Sequence, residues 1–202
     1  MASSTESDPL LEYSPKAQEI IRCANQFLAI GGYNGFSYAD IAESVGVRKA
    51  SIHHHFPTKE VLVKVTVSLH RKVMKRGLQS LDSLVADPFE RLLAYARYWA
   101  ECIEKSNPPI CIAALLASEL PAVPHEVADE VRAHFNDLQS WVTAVMTEGQ
   151  AAGAMTLLDS PSTDAAAFVA STHGAMLAAR VAGDPSLFWA IASQAANRLR
   201  AP

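Results

Sequence analysis

The chain is poor in cysteine, in glycine and in long apolar runs. Its three cysteines, Cys23, Cys102 and Cys111, are an odd number without metal-ligand spacing. They offer no disulfide framework and point to a reducing, cytoplasmic setting. The longest uninterrupted apolar run, residues 110–117, is about a third of a membrane span, so no membrane partner is expected. The opening residues, MASSTESDPLLEY, have neither a basic n-region nor an apolar h-region, and no secretory signal is read there. No stretch alternates apolar and polar residues long enough for a strand. A nucleophile elbow, a Gly-rich phosphate loop after a strand and paired carboxylates are also missing, so no catalytic residue, cofactor or metal is expected.

What is present is a 202-residue chain, half of it hydrophobic and 19% charged. That is ample for a buried core and excludes a largely disordered polymer. The formal charge of −4 hides an asymmetry. Residues 48–76 hold eight bases against one acid, Glu60, and the rest of the chain carries the acidic excess. A local basic surface on an acidic protein is the footprint of a polyanion site, although a solvated helix face gives the same pattern.

Start and stop signals divide the chain into about nine helices. Residues 1–13 read as a disordered polar arm. Ser14-Pro15 opens the first helix, and Gly31-Gly32 closes it. Ser37 with Asp40 forms a capping box for a short second helix stopped by Gly46. A third runs from Lys49 to Phe56, and Pro57-Thr58 opens a long fourth. Asp87-Pro88 starts the fifth and Pro108-Pro109 the sixth. The seventh spans 125–152, Ser162 or Asp164 caps the eighth, and Asp184-Pro185 opens the ninth. The expected fold is all-α, with a helix-turn-helix domain over 14–57 and a larger helical domain over 58–202.

Two short helices about a tight Gly turn make a helix-turn-helix candidate. Ile41, Ala42, Val45, Val47, Ile52 and Phe56 suit the locking face; Lys49, Ser51, His53, His54 and His55 would be displayed as donors. The three histidines are not a metal triad, because neighbours on a helix point about 100° apart.

The stretch 32–60, GYNGFSYADIAESVGVRKASIHHHFPTKE, resembles the DNA-binding domain of TetR/AcrR-family transcriptional regulators. The pattern is a Gly-aromatic pair, Ile-Ala, Gly-Val, then a small, an aliphatic and an aromatic residue, and a Phe followed by Lys-Glu. The resemblance implies phosphate contacts from Ser37 and Lys59 and base-edge contacts from Lys49, Ala50 and Ser51. It implies backbone contacts from His53 and His55, with Tyr38, Arg48 and His54 in the same interface. Arg48 departs from the family pattern, where a Ser commonly caps the recognition helix; His53 replaces a Tyr and Phe36 a Thr.

In the larger domain, Tyr95, Trp99 and Cys102 share a stripe. Cys111, Leu115, Phe135 and Trp141 would join them around a small apolar ligand, with core packing as the plainer reading. The eighth and ninth helices are rich in small residues. The resemblance implies that Ala167, Ala170, Gly174, Ala178, Trp189, Ala192 and Ala196 meet a second copy in a four-helix bundle. The segment from Cys111 is similar to one in TetR-type repressors that respond to electrophiles and oxidants. With Pro108-Pro109 opening its helix, Cys111 is expected in the first turn with a lowered pKa, more reactive than Cys102; an inert buried Cys is the alternative. The composite reading is a cytoplasmic homodimeric repressor. It binds a near-palindromic double-stranded operator and is released by a small apolar or electrophilic inducer or by thiol oxidation. The competing reading is a helical ligand-binding protein or enzyme with a vestigial helix-turn-helix.

Overall fold

A computed structural model describes residues 8–202. The described residues form nine α-helices and no named strand: α1 (Pro15–Gly31), α2 (Tyr38–Val45), α3 (Lys49–His55), α4 (Lys59–Leu84), α5 (Pro88–Glu104), α6 (Ile112–Ser118), α7 (His125–Ala151), α8 (Pro161–Ala182) and α9 (Ser186–Asn197). A lone antiparallel bridge joins Met155 to Arg200. Of the expected disordered arm, residues 1–7 lie outside the described residues. Pro9–Glu12 is an ordered 3₁₀ turn, because the Asp8 carboxylate accepts the Leu10 N–H at 2.9 Å and Pro9 is buried.

Local chemistry sets most helix ends. Ser14 Oγ accepts the Ala17 N–H, Pro15 occupies the first turn, and Gly32 ends α1 at φ 69°. Ser37 and Asp40 close a reciprocal capping box on α2, and Gly46 turns the chain at φ 68°, ψ 40°. Asp87 Oδ1 accepts the Phe89 N–H at 2.8 Å at the head of α5. Two starts differ from expectation. Helix α6 begins at Ile112, with Cys111 as its N-cap, and not at Pro108-Pro109. Helix α8 is capped by Ser160, not Ser162 or Asp164. The buried Asp164 carboxylate turns back to accept the Leu158 and Asp159 N–H groups at 2.7 and 3.1 Å.

The chain divides into two compact units, and the division falls within α4 and α7, away from 57/58. The first unit comprises the chain up to Met74 together with Cys111–Ala133. In it α1 packs against α2, α3 and α6, around Ile20, Leu28, Ile41, Ile52 and Leu62, all fully buried. The second unit comprises Lys75–Ile110 and His134–Pro202. There α9 packs against both α8 and α5, around Leu92, Phe168, Phe188 and Ala192. Arg91 is the buried cation of that unit; it pairs with Glu148 at 2.6 Å and donates to the Val85 and Ala86 carbonyls. By length and hydropathy alone α8 could cross a membrane, yet 44% of its apolar window is buried inside the chain.

The Asp87 cap satisfies two helix-end donors at once. Asp87→Ala should lower unfolding free energy by about 1 kcal/mol, measured by urea denaturation at fixed protomer concentration.

Candidate nucleic-acid interface

Helix α3 has seven residues, one face of which is core and the other solvent. Ile52 is fully buried and Phe56, at the C-terminal end, is 3% exposed. Lys49, Ala50, His53 and His54 are exposed, as is Arg48 at the N-cap; Ser51 and His55 are half-buried. Arg48 makes no side-chain capping bond, so its guanidinium is not spent on the helix end. His53 is oriented by its Nδ1, 3.0 Å from the Pro57 carbonyl, and by the edge of the Tyr38 ring. His54 and His55 stand edge to face at 5.3 Å.

Two expected DNA contacts are structural. Tyr38 is buried, and its hydroxyl donates to the Phe56 carbonyl at 2.8 Å. It joins the start of α2 to the end of α3, and burial pushes its hydroxyl up to about 12, so it stays a donor. Lys59 is half-buried. Its ammonium donates to the Phe36 carbonyl and lies over the rings of Tyr33 and Phe36 at 4.8 and 4.3 Å. Burial lowers its pKa, partly offset by Asp40 and Glu119. A lysine held this way braces the base of the motif. Ser37 is exposed, but its oxygen is engaged with the Ala39 N–H and with Asp40.

The basic stretch is also partitioned. Lys64 pairs with Glu126, and Arg71 with Glu130 at 3.5 Å. Both acids lie on α7 within the same unit. The positive charge that remains displayed around the motif is concentrated on Arg48 and Lys49, beside the histidines. Sequence reasoning also missed Glu119, at the end of α6. Its carboxylate accepts the Tyr33 N–H at 2.7 Å and occupies the space over Gly32, where a Cβ would stand 1.9 Å from Oε1. The Gly31-Gly32 pair reads as a helix stop; only the fold shows that Gly32 is also a cradle.

The comparisons with known proteins agree with this geometry. A family model described as bacterial regulatory proteins, tetR family, matches residues 20–66. A second, described as the tetracyclin repressor-like C-terminal domain, matches residues 88–194. The chain belongs to the TetR family. It is therefore a TetR-family transcriptional regulator carrying a helix-turn-helix DNA-binding domain. A TetR-family transcriptional regulator from Agrobacterium tumefaciens is 47% identical, with a TM-score of 0.91 over 92% of this chain and 98% of that one. The HTH-type transcriptional repressor KstR2 of Mycolicibacterium smegmatis is 26% identical over 76% of this chain and 72% of its own length. A TetR regulator from Legionella pneumophila, 22% identical, shares the fold at a TM-score of 0.83 over 93% of this chain and 99% of its own.

In this TetR-family chain, the residues expected around a ligand are divided between the two units. In the second unit Tyr95, 2% exposed, meets Trp141 at 6.1 Å and Phe168 at 6.4 Å. Trp99 is 1% exposed and stands edge to face with Tyr98. The Trp141 indole donates to Asp82 at 2.9 Å. Phe135 instead lies beside His173, at 5.0 Å. Cys111 and Leu115 belong to the first unit.

The expectation of an activated Cys111 is overturned. The residue is an N-cap, not part of a first helical turn, and it is fully buried. Burial pushes its thiol up to about 11, against the pull of the Ala114 and Ala113 N–H groups. His70 Nε2 lies 3.4 Å from its sulfur, but burial pushes that imidazole down to about 4. At neutral pH it is uncharged and cannot stabilise a thiolate as a cation would. Cys102 is half-buried, and its thiol is shifted up by burial with a smaller opposing effect of the Tyr98 hydroxyl.

On α8, Ala167, Ala170 and Gly174 are exposed and Ala178 is half-buried, continuous with exposed Leu177 and Val181. On α9, Trp189 is half-buried beneath the Arg97 guanidinium. Ala192 and Ala196 are fully buried inside the chain. They face the core because α9 packs on both α8 and α5, so they are not available to a second copy.

Accessibility governs thiol labelling here. Cys102 should react with iodoacetamide several-fold faster than Cys111 in the native protein, as read by mass spectrometry after a short pulse. Tyr38→Phe should cost about 1 kcal/mol in denaturant unfolding, because the buried Phe56 carbonyl loses its donor.

Proposed function

We propose that the protein is a homodimeric repressor whose α3 helices enter successive major grooves of a near-palindromic operator. A small apolar ligand in the second unit would weaken that binding. The exposed α3 face supports the first part: Lys49, Ala50 and His53 are open to solvent on one short helix, with Arg48 exposed beside them. Repression is supported by the relative KstR2, which is described as a repressor. The exposed Ala167, Ala170, Gly174 and Leu177 stripe on α8 supports a paired state, since small residues let helix axes approach closely. The aromatic group of Tyr95, Trp141 and Phe168 supports an apolar ligand. Burial of Cys111 favours that reading over thiol oxidation as the releasing event.

The experiment is fluorescence anisotropy on genomic fragments across a salt series. Sequence-preferring, salt-sensitive binding is expected. Lys49→Ala should weaken it and reduce the salt slope by about one, with the unfolding midpoint unchanged. Affinity that is independent of sequence and salt would refute operator binding.

A further inference from the structure

Three side chains of metal-ligating type converge without any motif in the sequence. His70 is on α4, Cys111 is the N-cap of α6, and His134 is on α7. Their donor atoms all lie within 4.8 Å of one another. Cys111 and His134 are buried, and His70 is half-buried. The first unit ends on α7 at Ala133, and His134 is the next residue of that unbroken helix. Cys111 stands 41 residues from His70 in the chain, so spacing rules for metal ligands do not find the group.

The separations suit a shared ion. Metal–sulfur and metal–nitrogen bonds of about 2.3 and 2.0 Å, at an angle of roughly 110–120°, set sulfur and nitrogen about 3.5–3.7 Å apart. Cys111 Sγ and His70 Nε2 are 3.4 Å apart, close to that range. A thiol–imidazole hydrogen bond involves only those two residues; a metal ion also uses the third donor, His134.

Charge decides which ion. With both imidazoles neutral, the thiolate is the only charged ligand of the three. Arg71, next to His70, and Glu130, one turn before His134, pair at 3.5 Å and offset each other. A monovalent ion therefore gives a neutral buried centre, whereas a divalent ion leaves a net positive charge that burial penalises. A soft thiolate with two imidazoles also matches monovalent copper, while structural zinc takes four ligands. We propose that His70, Cys111 and His134 form a trigonal site for a cuprous ion. On binding, the Cys111 S–H bond breaks, a Cu–S bond forms and the proton passes to solvent. Copper enters as Cu(I), and no electron is transferred. The site uses none of the residues of the α3 face or of the aromatic group in the second unit, and its assignment does not depend on operator binding.

For the test, the full-length protein is titrated anaerobically with Cu(I) buffered by bicinchoninate, and the loaded protein is examined by X-ray absorption at the copper edge. One copper per protomer, with one sulfur and two nitrogen ligands, is expected. Cys111→Ser and His134→Gln should each weaken binding by about a hundredfold or more, since loss of an outer-shell partner alone costs about 10–100-fold. Cys102→Ser should leave the affinity unchanged. Circular dichroism shows whether each variant folds, and the absorption spectrum of the native protein decides the ligand set without any variant. Substoichiometric copper, two sulfurs per copper, tighter binding of Zn(II) in competition, or undiminished binding by folded Cys111→Ser would overturn the assignment.

Discussion

Helix α3 is too short to hold itself. Seven residues are well below the length at which an isolated helix is stable in water, and its N-cap supplies no side-chain bond. The recognition helix therefore exists only because its buried side is clamped. Ile52 sits in the core, Gly46 turns the chain in the left-handed region, and the Tyr38 hydroxyl holds the Phe56 carbonyl. Lys59 and Glu119 extend the clamp, the first to the Phe36 carbonyl and the second to the Tyr33 amide. Every displayed residue of α3 owes its bearing to these contacts.

The displayed basic surface is smaller than the charge count of residues 48–76 suggests. A run of bases in sequence becomes a basic surface only if the bases share a face without acids opposite. On α4 two of them do not: Lys64 and Arg71 pair with Glu126 and Glu130 of α7. Exposed pairs of this kind contribute little stability, but they neutralise field that would otherwise reach a phosphate. Next to α3 the displayed charge is that of Arg48 and Lys49.

The two interior imidazoles illustrate how burial assigns roles. His70 and His173 are both pushed towards the neutral form. His70 lies against a thiol that burial has itself made hard to ionise. His173 has one ring nitrogen committed to the Val169 carbonyl of its own helix.

Sequence alone was enough for the all-α class, the helix order, the Ser14, Ser37 and Asp87 caps, the Gly46 turn and the regulator motif. These depend on short-range rules: apolar periodicity, side chains that cap within three residues, and glycine at positive φ. Tertiary structure decided what those rules do not reach. Helix α6 starts late, at Ile112, and Cys111 lies in the core, where desolvation outweighs the helix-end amides. Tyr38 and Lys59 turn inward, although their spacing matches residues that contact DNA. Ala192 and Ala196 carry the same small side chain as Ala167 and Ala170, yet α9 packs on α5 as well as α8 and encloses them. Periodicity shows that a helix has faces; which face meets solvent, and which polar atom is left unpaired, depends on partners far away in the chain.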